Sequence, residues 1–148
     1  MYLLDPSLNS SYLPLHTEHP LMTNLTGTYS LLSFQIEDLQ GAKADWGTNT
    51  QGLLIYAPTG HMSVSINKDV EADATQTDTE NLFDSVLFYS GTYAVDGTVI
   101  RHQVTHASNP SRIGKEMIRH AEWDGDVVTL ATPKESFGRG ILVWKKIG

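Results

Sequence analysis

Apolar and polar residues alternate along most of this chain, which is the period of a β-strand with one buried face. Residues 28–37 are rich in β-branched and aromatic side chains and are predicted to form the first strand. Residues 53–57 and 61–66 flank a Pro-Thr-Gly turn, which predicts a hairpin. The strands predicted after residue 88 are, in chain order, SGTYAV, TVIRHQVTHAS, KEMIRHAEW, VVTLAT and GILVWKK.

These eight predicted strands are joined in sequence by hairpins or short loops. Asp-Gly pairs at residues 96–97 and 124–125 are strong signals for two of the hairpins. Eight antiparallel strands in up-and-down order close naturally into a barrel, and closure protects their edges. We therefore predict an all-β fold, an eight-stranded antiparallel up-and-down β-barrel that is wide enough for one small ligand. A two-sheet sandwich is the alternative arrangement of the same strands.

One segment departs from this alternation and has the period of a helix. Thr77 is followed by Glu80 three residues later, which is a capping-box signature, and apolar residues at helical spacing come next. The pattern predicts one short helix over residues 79–88, inserted after the third strand.

The first 24 residues show neither pattern. Because prolines at positions 6, 14 and 20 disfavour a helix, we predict an irregular N-terminal arm over residues 1–24, followed by a barrel domain over residues 25–148. An alternative is that the folded unit begins at Met22. The arm does not resemble a secretory signal, and no later apolar run is long enough to span a bilayer. We therefore expect a cytoplasmic protein.

Charge and composition narrow the classes of partner. The net charge is -7 and no basic amphipathic segment is present, so we expect neither nucleic acid nor a membrane surface as a partner. The absence of cysteine excludes disulfides, thiolate catalysis and cysteine-zinc sites. Nucleophile elbows, phosphate loops and dinucleotide-binding loops are also missing, and we expect no cofactor. The sequence leaves open whether the chain forms a homodimer.

The most distinctive chemistry is a pair of histidines, His102 and His106, on a predicted strand. Positions four apart on a strand are separated by about 13 Å, whereas zinc binds a histidine nitrogen at about 2 Å. We therefore expect no shared metal ion. Strand alternation places both histidines on one face with Ile100, Val104 and Ser108, and such a mixture of apolar and imidazole groups is typical of a cavity wall.

The next strand adds a cation to the predicted interior. Arg119 shares a face with Met117 and Ala121 that we predict to point inward. A buried guanidinium needs an anionic partner, which is either a ligand or a protein carboxylate. Glu37 and Asp38, at the end of the first strand, are the candidates for a structural ion pair.

Two tyrosines and a methionine complete the candidate lining, although the tyrosines could equally pack outward. The candidate ligand-binding residues are Tyr56, Met62, Tyr93, His102, His106, Met117 and Arg119. Each histidine has the alternative role of a hydrogen-bonded wall residue. Trp46, in a loop, could plug one mouth of the barrel or simply cover core.

Six motifs stand in a fixed order along the chain: LTGTYSLLSF, GLLIYAPTGHMSV, YSGTYAVD, HQVTHASNPSRIGK, RHAEWDGDVVTL and LVWK. Their order and spacing over residues 25–146 resemble the bacterial and fungal lipocalin-like domain proteins. The resemblance implies a calycin-type eight-stranded barrel and a small apolar or amphipathic ligand. Tyr29 stands where lipocalins carry the tryptophan of Gly-x-Trp, so the packing of the barrel floor is expected to differ. Some barrels of this kind act as auxiliary isomerases or cyclases in natural-product pathways.

Three functional hypotheses follow. The first is a protein that binds a small hydrophobic or amphipathic molecule, anionic ones included, in a central cavity. The second is a cofactor-independent isomerase or cyclase in which His102 or His106 moves a proton and Arg119 stabilises a developing enolate or carboxylate. The third is a structural protein whose barrel is filled by its own side chains. An open cavity on the order of a few hundred Å³ favours the first two.

Overall fold

Alternation of apolar and polar side chains produces nine β-strands in residues 25–148, the part of the chain that the computed structural model describes. The strands are β1 (Gly27–Glu37), β2 (Lys43–Asp45), β3 (Gln51–Tyr56), β4 (His61–Asn67), β5 (Val86–Asp96), β6 (Val99–Ala107), β7 (Glu116–Asp124), β8 (Val127–Ala131) and β9 (Arg139–Lys146). A helix, α1 (Asp78–Asp84), precedes β5, and a single 3₁₀ turn (Pro110–Arg112) precedes β7. The predicted N-terminal arm, residues 1–24, lies outside the described residues.

The strands close into a barrel because β1 pairs on both sides. It pairs antiparallel with β3 through one edge and with β9 through the other, from Tyr29 opposite Lys146 to Glu37 opposite Arg139. Every other neighbouring pair is consecutive in sequence and antiparallel. The predicted eight-stranded up-and-down barrel is confirmed, and the pairing of β1 with β9 excludes the sandwich.

The ninth strand, β2, does not belong to the barrel wall. It pairs only with the last residues of β1. The sequence predicted a loop here, since three exposed residues are too few to show a period of two.

The two ends of the barrel differ because short and long connections alternate. Tight turns at residues 57–60, 97–98 and 125–126 form one end, which we call the turn end. Gly60, Gly97 and Gly125 have φ values of 88°, 62° and 60° there, a backbone region that glycine adopts without steric cost. The longer connections, at residues 38–50, 68–85, 108–115 and 132–138, form the opposite end, which we call the loop end.

Aromatic rings fill the barrel interior at the turn end. Tyr29 is fully buried, and its ring lies 6.0 Å from the ring of Tyr56 and 6.3 Å from that of Trp123. Tyr56 in turn contacts Tyr93 at 4.7 Å between ring centroids. These four rings form the floor of the barrel. The Tyr29 hydroxyl donates a hydrogen bond of 2.6 Å to the carbonyl of Leu25, a polar anchor that this tyrosine adds to the floor.

Helix α1 begins as predicted but ends earlier. The Thr77 hydroxyl accepts from the backbone N–H of Glu80, and the Glu80 carboxylate accepts from the backbone N–H of Thr77, which completes the capping box. The predicted end at residue 88 is wrong, because β5 begins at Val86. Apolar residues 82, 83, 86 and 87 fit a helical spacing. However, Leu82 and Phe83 are exposed, and residues 86 and 87 already belong to strand β5. Within residues 25–148 no helix is long and apolar enough to cross a membrane.

Candidate functional site

A cavity of about 470 Å³ lies inside the barrel towards the loop end. Most of its wall is made of inward-facing aliphatic and aromatic side chains from β1, β3, β4, β8 and β9, among them Leu54, Val64, Ile66, Leu130, Leu142 and Trp144. The polar and charged lining residues are Tyr89, His102, Arg112, Glu116, Arg119, Thr132 and Glu135. An apolar enclosure with a few placed polar groups is the usual composition of a small-molecule site.

Trp46 lies at the rim of this cavity. Its ring stacks on Phe34 with 4.9 Å between centroids and 14° between planes. The ammonium of Lys68 lies 4.4 Å from the centroid of the Trp46 ring and donates a 3.0 Å hydrogen bond to the Trp46 carbonyl. The contacts with Phe34 and Lys68 fix the loop that carries Trp46, whose ring forms part of the cavity wall at the loop end.

His102 is the buried polar centre of the site. Strand β6 points it inward, and its side chain is only 2% exposed. Its Nε2 atom lies 2.6 Å from the hydroxyl of Tyr56, and its Nδ1 atom lies 2.6 Å from the hydroxyl of Tyr89. Because both ring nitrogens are hydrogen-bonded, a polar ring is accommodated in an otherwise apolar core.

Burial also decides the charge of this group of side chains. Loss of solvation, together with the smaller effect of the nearby Arg119 cation, lowers the pKa of His102 to about 3. Burial raises the pKa of Tyr56 well above its ordinary value, and it raises the pKa of Tyr89 against the opposing charges of Arg119 and Arg112. At neutral pH the imidazole and both phenols are therefore uncharged.

Arg119 is placed in the cavity lining, as strand alternation indicated. Its Nη1 atom donates a 2.8 Å hydrogen bond to the carbonyl of Ile118, and its Nη2 atom lies 3.5 Å from the Tyr89 hydroxyl. The alternative of a structural ion pair with Glu37 does not occur, because Glu37 binds Arg139 at 2.8 Å. Asp38 does not pair with Arg119 either, since its carboxylate accepts hydrogen bonds from two backbone N–H groups of its own loop. Arg119 thus has no carboxylate partner among residues 25–148.

His106 does not reach the cavity, contrary to the prediction. The pairing of β5 with β6 skips Thr105, so that Ser90 lies opposite His106 while Gly91 lies opposite Val104. This β-bulge shifts the alternation by one residue and turns His106 outward, where it is exposed. Its Nδ1 atom contacts the hydroxyl of Thr105 at 2.9 Å. The prediction that His106 shares the inward face of His102 is therefore wrong.

Three further predicted lining residues lie too deep to form the cavity wall. Tyr56 and Met62 point inward and are buried, but they face each other across the last pair before the tight turn of β3 and β4. Tyr93 packs on Tyr56, and its hydroxyl donates to the carbonyl of Ala57 in that turn. All three belong to the turn end of the barrel. Met117, in contrast, lines the cavity as expected.

Tyr89 and Arg112 are among the lining residues that sequence reasoning missed. Tyr89 was missed because the helix was predicted to extend to residue 88. Its spacing of two from Leu87 and Gly91 nevertheless indicates a strand. Arg112 lies in the 3₁₀ turn after β6, where no periodicity indicates direction. Arg112 lines the cavity and forms no ion pair with a carboxylate of residues 25–148.

The described residues offer no donor set for a metal ion. Within residues 25–148 no three His, Asp or Glu side chains converge as ligands. The cavity lining therefore offers hydrogen bonding by neutral phenol and imidazole groups and the Thr132 hydroxyl, together with the guanidinium groups of Arg112 and Arg119 and the carboxylates of Glu116 and Glu135.

Comparison with known proteins gives a family and a weak structural likeness. The solved structure of a redesigned β-barrel is 11% identical, covers 84% of this chain and 92% of its own, and has a TM-score of 0.44. No curated protein matches the chain. The family model for the lipocalin-like domain matches residues 26–147, almost the whole of the barrel. This chain therefore belongs to the lipocalin-like domain family.

Proposed function

We propose that this protein binds one small apolar or amphipathic molecule inside its barrel. The observation that carries the proposal is the cavity of about 470 Å³ with a largely apolar wall. Ligand sites typically enclose about 300–1,000 Å³, so the cavity has the size of a small-molecule site. A barrel filled by its own side chains would have no such space, and the hypothesis of a purely structural protein is accordingly disfavoured.

Access to the cavity would be through the loop end. The rim there is formed by Phe34, Trp46, Arg112 and the β8–β9 connection, residues 132–138. The turn end is filled by the floor rings of Tyr29, Tyr56, Tyr93 and Trp123. A ligand would therefore lie with its apolar part against Leu54, Val64 and Leu142.

The isomerase or cyclase hypothesis receives no comparable support. His102 has a pKa of about 3 and both of its nitrogens are bonded to tyrosine hydroxyls, so it is a poor base near neutral pH. His106, the other candidate proton carrier, lies outside the barrel. We therefore propose binding, and we assign His102 the role of holding two tyrosine hydroxyls in place.

A cavity-filling variant tests the proposal with the fluorescent probe 1-anilinonaphthalene-8-sulfonate. Leu87 lines the cavity near the start of β5, whereas Val95, on the same strand, is exposed. Because Leu87→Trp places a larger side chain in the cavity, we expect probe affinity to fall at least about tenfold, and Val95→Trp to leave it unchanged. Fluorescence titration measures both affinities.

The wild-type protein should take up one probe molecule per chain. Circular dichroism of both variants verifies that the barrel is retained. Wild-type affinity in Leu87→Trp, or equal losses in the two variants, would place the probe outside the barrel and contradict the proposal.

A further inference from the structure

Four side chains form a hydrogen-bonded chain from the floor of the barrel to the cavity. The Tyr56 hydroxyl contacts Nε2 of His102, Nδ1 of His102 contacts the Tyr89 hydroxyl, and the Tyr89 hydroxyl contacts Nη2 of Arg119. Tyr89, His102 and Arg119 line the cavity, whereas Tyr56 does not. The direction in which the hydrogens run along this chain determines what the cavity offers to a ligand.

A neutral imidazole carries one hydrogen, so only two arrangements are available. In the first, Nε2 carries the hydrogen and donates to Tyr56, while Tyr89 donates to Nδ1. In the second, Tyr56 donates to Nε2, and Nδ1 carries the hydrogen and donates to Tyr89. The two arrangements leave a different phenolic hydrogen without an acceptor in the protein.

The first arrangement leaves the hydrogen of Tyr56 unsatisfied. Among residues 25–148 this hydroxyl has His102 as its single hydrogen-bond partner, and its ring is packed between Tyr29 and Tyr93 in the floor. An unsatisfied buried donor is costly. The second arrangement satisfies Tyr56 and instead leaves the hydrogen of Tyr89, which lies on the cavity wall and can be donated to a bound molecule.

The Tyr89 oxygen then accepts from two donors, Nδ1 of His102 and the more distant Nη2 of Arg119. A phenol polarised in this way is a stronger donor of its own hydrogen, because hydrogen bonds in a chain reinforce one another. Arg119 beside it has no carboxylate partner among residues 25–148, and Glu116, which also lines the cavity, is bound to Arg101 at 3.1 Å. A positive charge and a directed donor therefore lie side by side in the lining of a largely apolar cavity.

We infer that Tyr89 and Arg119 together bind the oxyanion of an amphipathic ligand, a carboxylate or an enolate whose apolar part fills the cavity. The inference rests on the proposed function and adds the chemistry of the head group. Such an oxyanion accepts the Tyr89 hydrogen and pairs with the guanidinium in a largely apolar cavity, where charge-assisted hydrogen bonds are stronger than in water. His102 is a positioning residue here, since it orients the Tyr89 hydroxyl and does not itself contact the ligand. Arg112, also on the cavity wall, adds positive charge near the same place.

A matched pair of probes separates the head group from the apolar part. Decanoate and 1-decanol share the same chain, and at about pH 8 the carboxylate is ionised. We expect decanoate to bind at least about tenfold more tightly than decanol, which is the fold-change of one strong charge-assisted interaction. Quenching of tryptophan fluorescence reports binding, because Trp46 and Trp144 line the cavity.

Variants then show which side chains cause the preference for decanoate over decanol. Arg119→Met should lower decanoate affinity at least about tenfold and change decanol affinity less than about threefold, and Arg119→Lys should restore part of the loss. Tyr89→Phe should weaken decanoate binding about tenfold. Tyr93→Phe is the matched control, since this hydroxyl is bonded to the Ala57 carbonyl away from the cavity, and it should bind decanoate as the wild type does. The midpoint of urea unfolding verifies that each variant is folded.

The outcomes distinguish a failure of the oxyanion site from a failure of the binding function. Equal affinity for both probes in the wild type, or equal losses for both in Arg119→Met, would overturn the oxyanion site and leave the binding function standing. Binding of neither probe would contradict the binding function and the oxyanion site together.

The hydrogen arrangement has a direct readout that needs no ligand. Nitrogen-15 spectra of histidine-labelled protein distinguish a protonated ring nitrogen from a bare one, and the spectrum of His102→Gln identifies the His102 signals. We expect Nδ1 of His102 to be protonated and Nε2 to be bare at neutral pH. A protonated Nε2 would direct the Tyr89 hydrogen to the imidazole and overturn the inference.

Discussion

Lowering the pH from about 7 to about 4 should destabilise the folded protein by about 3 kcal/mol through His102 alone. In the unfolded chain this ring takes up a proton as the pH falls below 6.5, whereas the folded ring, buried between two tyrosines, resists protonation until about pH 3. The unfolded state therefore binds more protons throughout this window. The contribution of His102 to stability is fully present above pH 6.5 and is lost as the pH falls towards 3.

Urea unfolding at a series of pH values measures this dependence. Carboxylates also titrate in the lower part of the window, so the relevant quantity is the difference between the wild type and His102→Gln. Whatever its stability at neutral pH, the free energy of unfolding of the variant should fall less steeply below pH 6.5. His61→Gln, which alters an exposed histidine, should follow the wild-type slope. Parallel curves for the wild type and His102→Gln would mean that His102 is not held neutral in the folded barrel.

Replacing Gly91 by alanine should lower the free energy of unfolding by about 3 kcal/mol or more. Gly91 is buried in β5 opposite the bulge, and an added Cβ would overlap the carbonyl oxygen of Gln103 and lie 2.8 Å from its carbonyl carbon. Both atoms belong to the backbone of β6, so the clash cannot be relieved by moving a side chain. The strands would have to separate where the bulge turns His106 outward.

Gly140→Ala is the matched control for this effect. Gly140 is also a buried strand glycine, but its added Cβ would meet only side-chain atoms, at 3.4 Å or more. We expect a change within about 1 kcal/mol, measured by the same urea unfolding. A Gly91→Ala protein as stable as Gly140→Ala would show that β5 and β6 do not approach each other as described, and the outward position of His106 would lose its explanation.

The fold could be predicted from the sequence because its signals are local and repeated. Strand alternation and the turn residues at 57–60, 96–97 and 124–125 each define a hairpin, and eight such strands in order lead to closure. The end of α1 could not be located in this way. Apolar residues 82, 83, 86 and 87 fit a helical period, and only the pairing of Val86 and Leu87 with β4 shows that the strand has already begun there.

The candidate site was predicted only in part. Strand alternation gives the wrong face after a β-bulge, and it does not tell how deep in the barrel a residue lies. Alternation placed His102, Met117 and Arg119 on the inner face correctly, because no irregularity interrupts those strands before these residues. The bulge at Thr105 reversed the phase for His106 and has no signature in a single sequence. Alternation also says nothing about depth along the barrel axis, so Tyr56, which belongs to the floor, was assigned to the cavity wall.

A crystal structure of the protein with bound 1-anilinonaphthalene-8-sulfonate tests the central claim most directly, namely that the barrel interior is a ligand site. We predict that the aromatic rings of the probe lie inside the barrel against Leu54, Val64 and Leu142, below the rim formed by Phe34 and Trp46. A probe bound only to the outer surface, for example at the exposed apolar residues Leu82 and Phe83, with the interior closed by the protein's own side chains, would contradict the account.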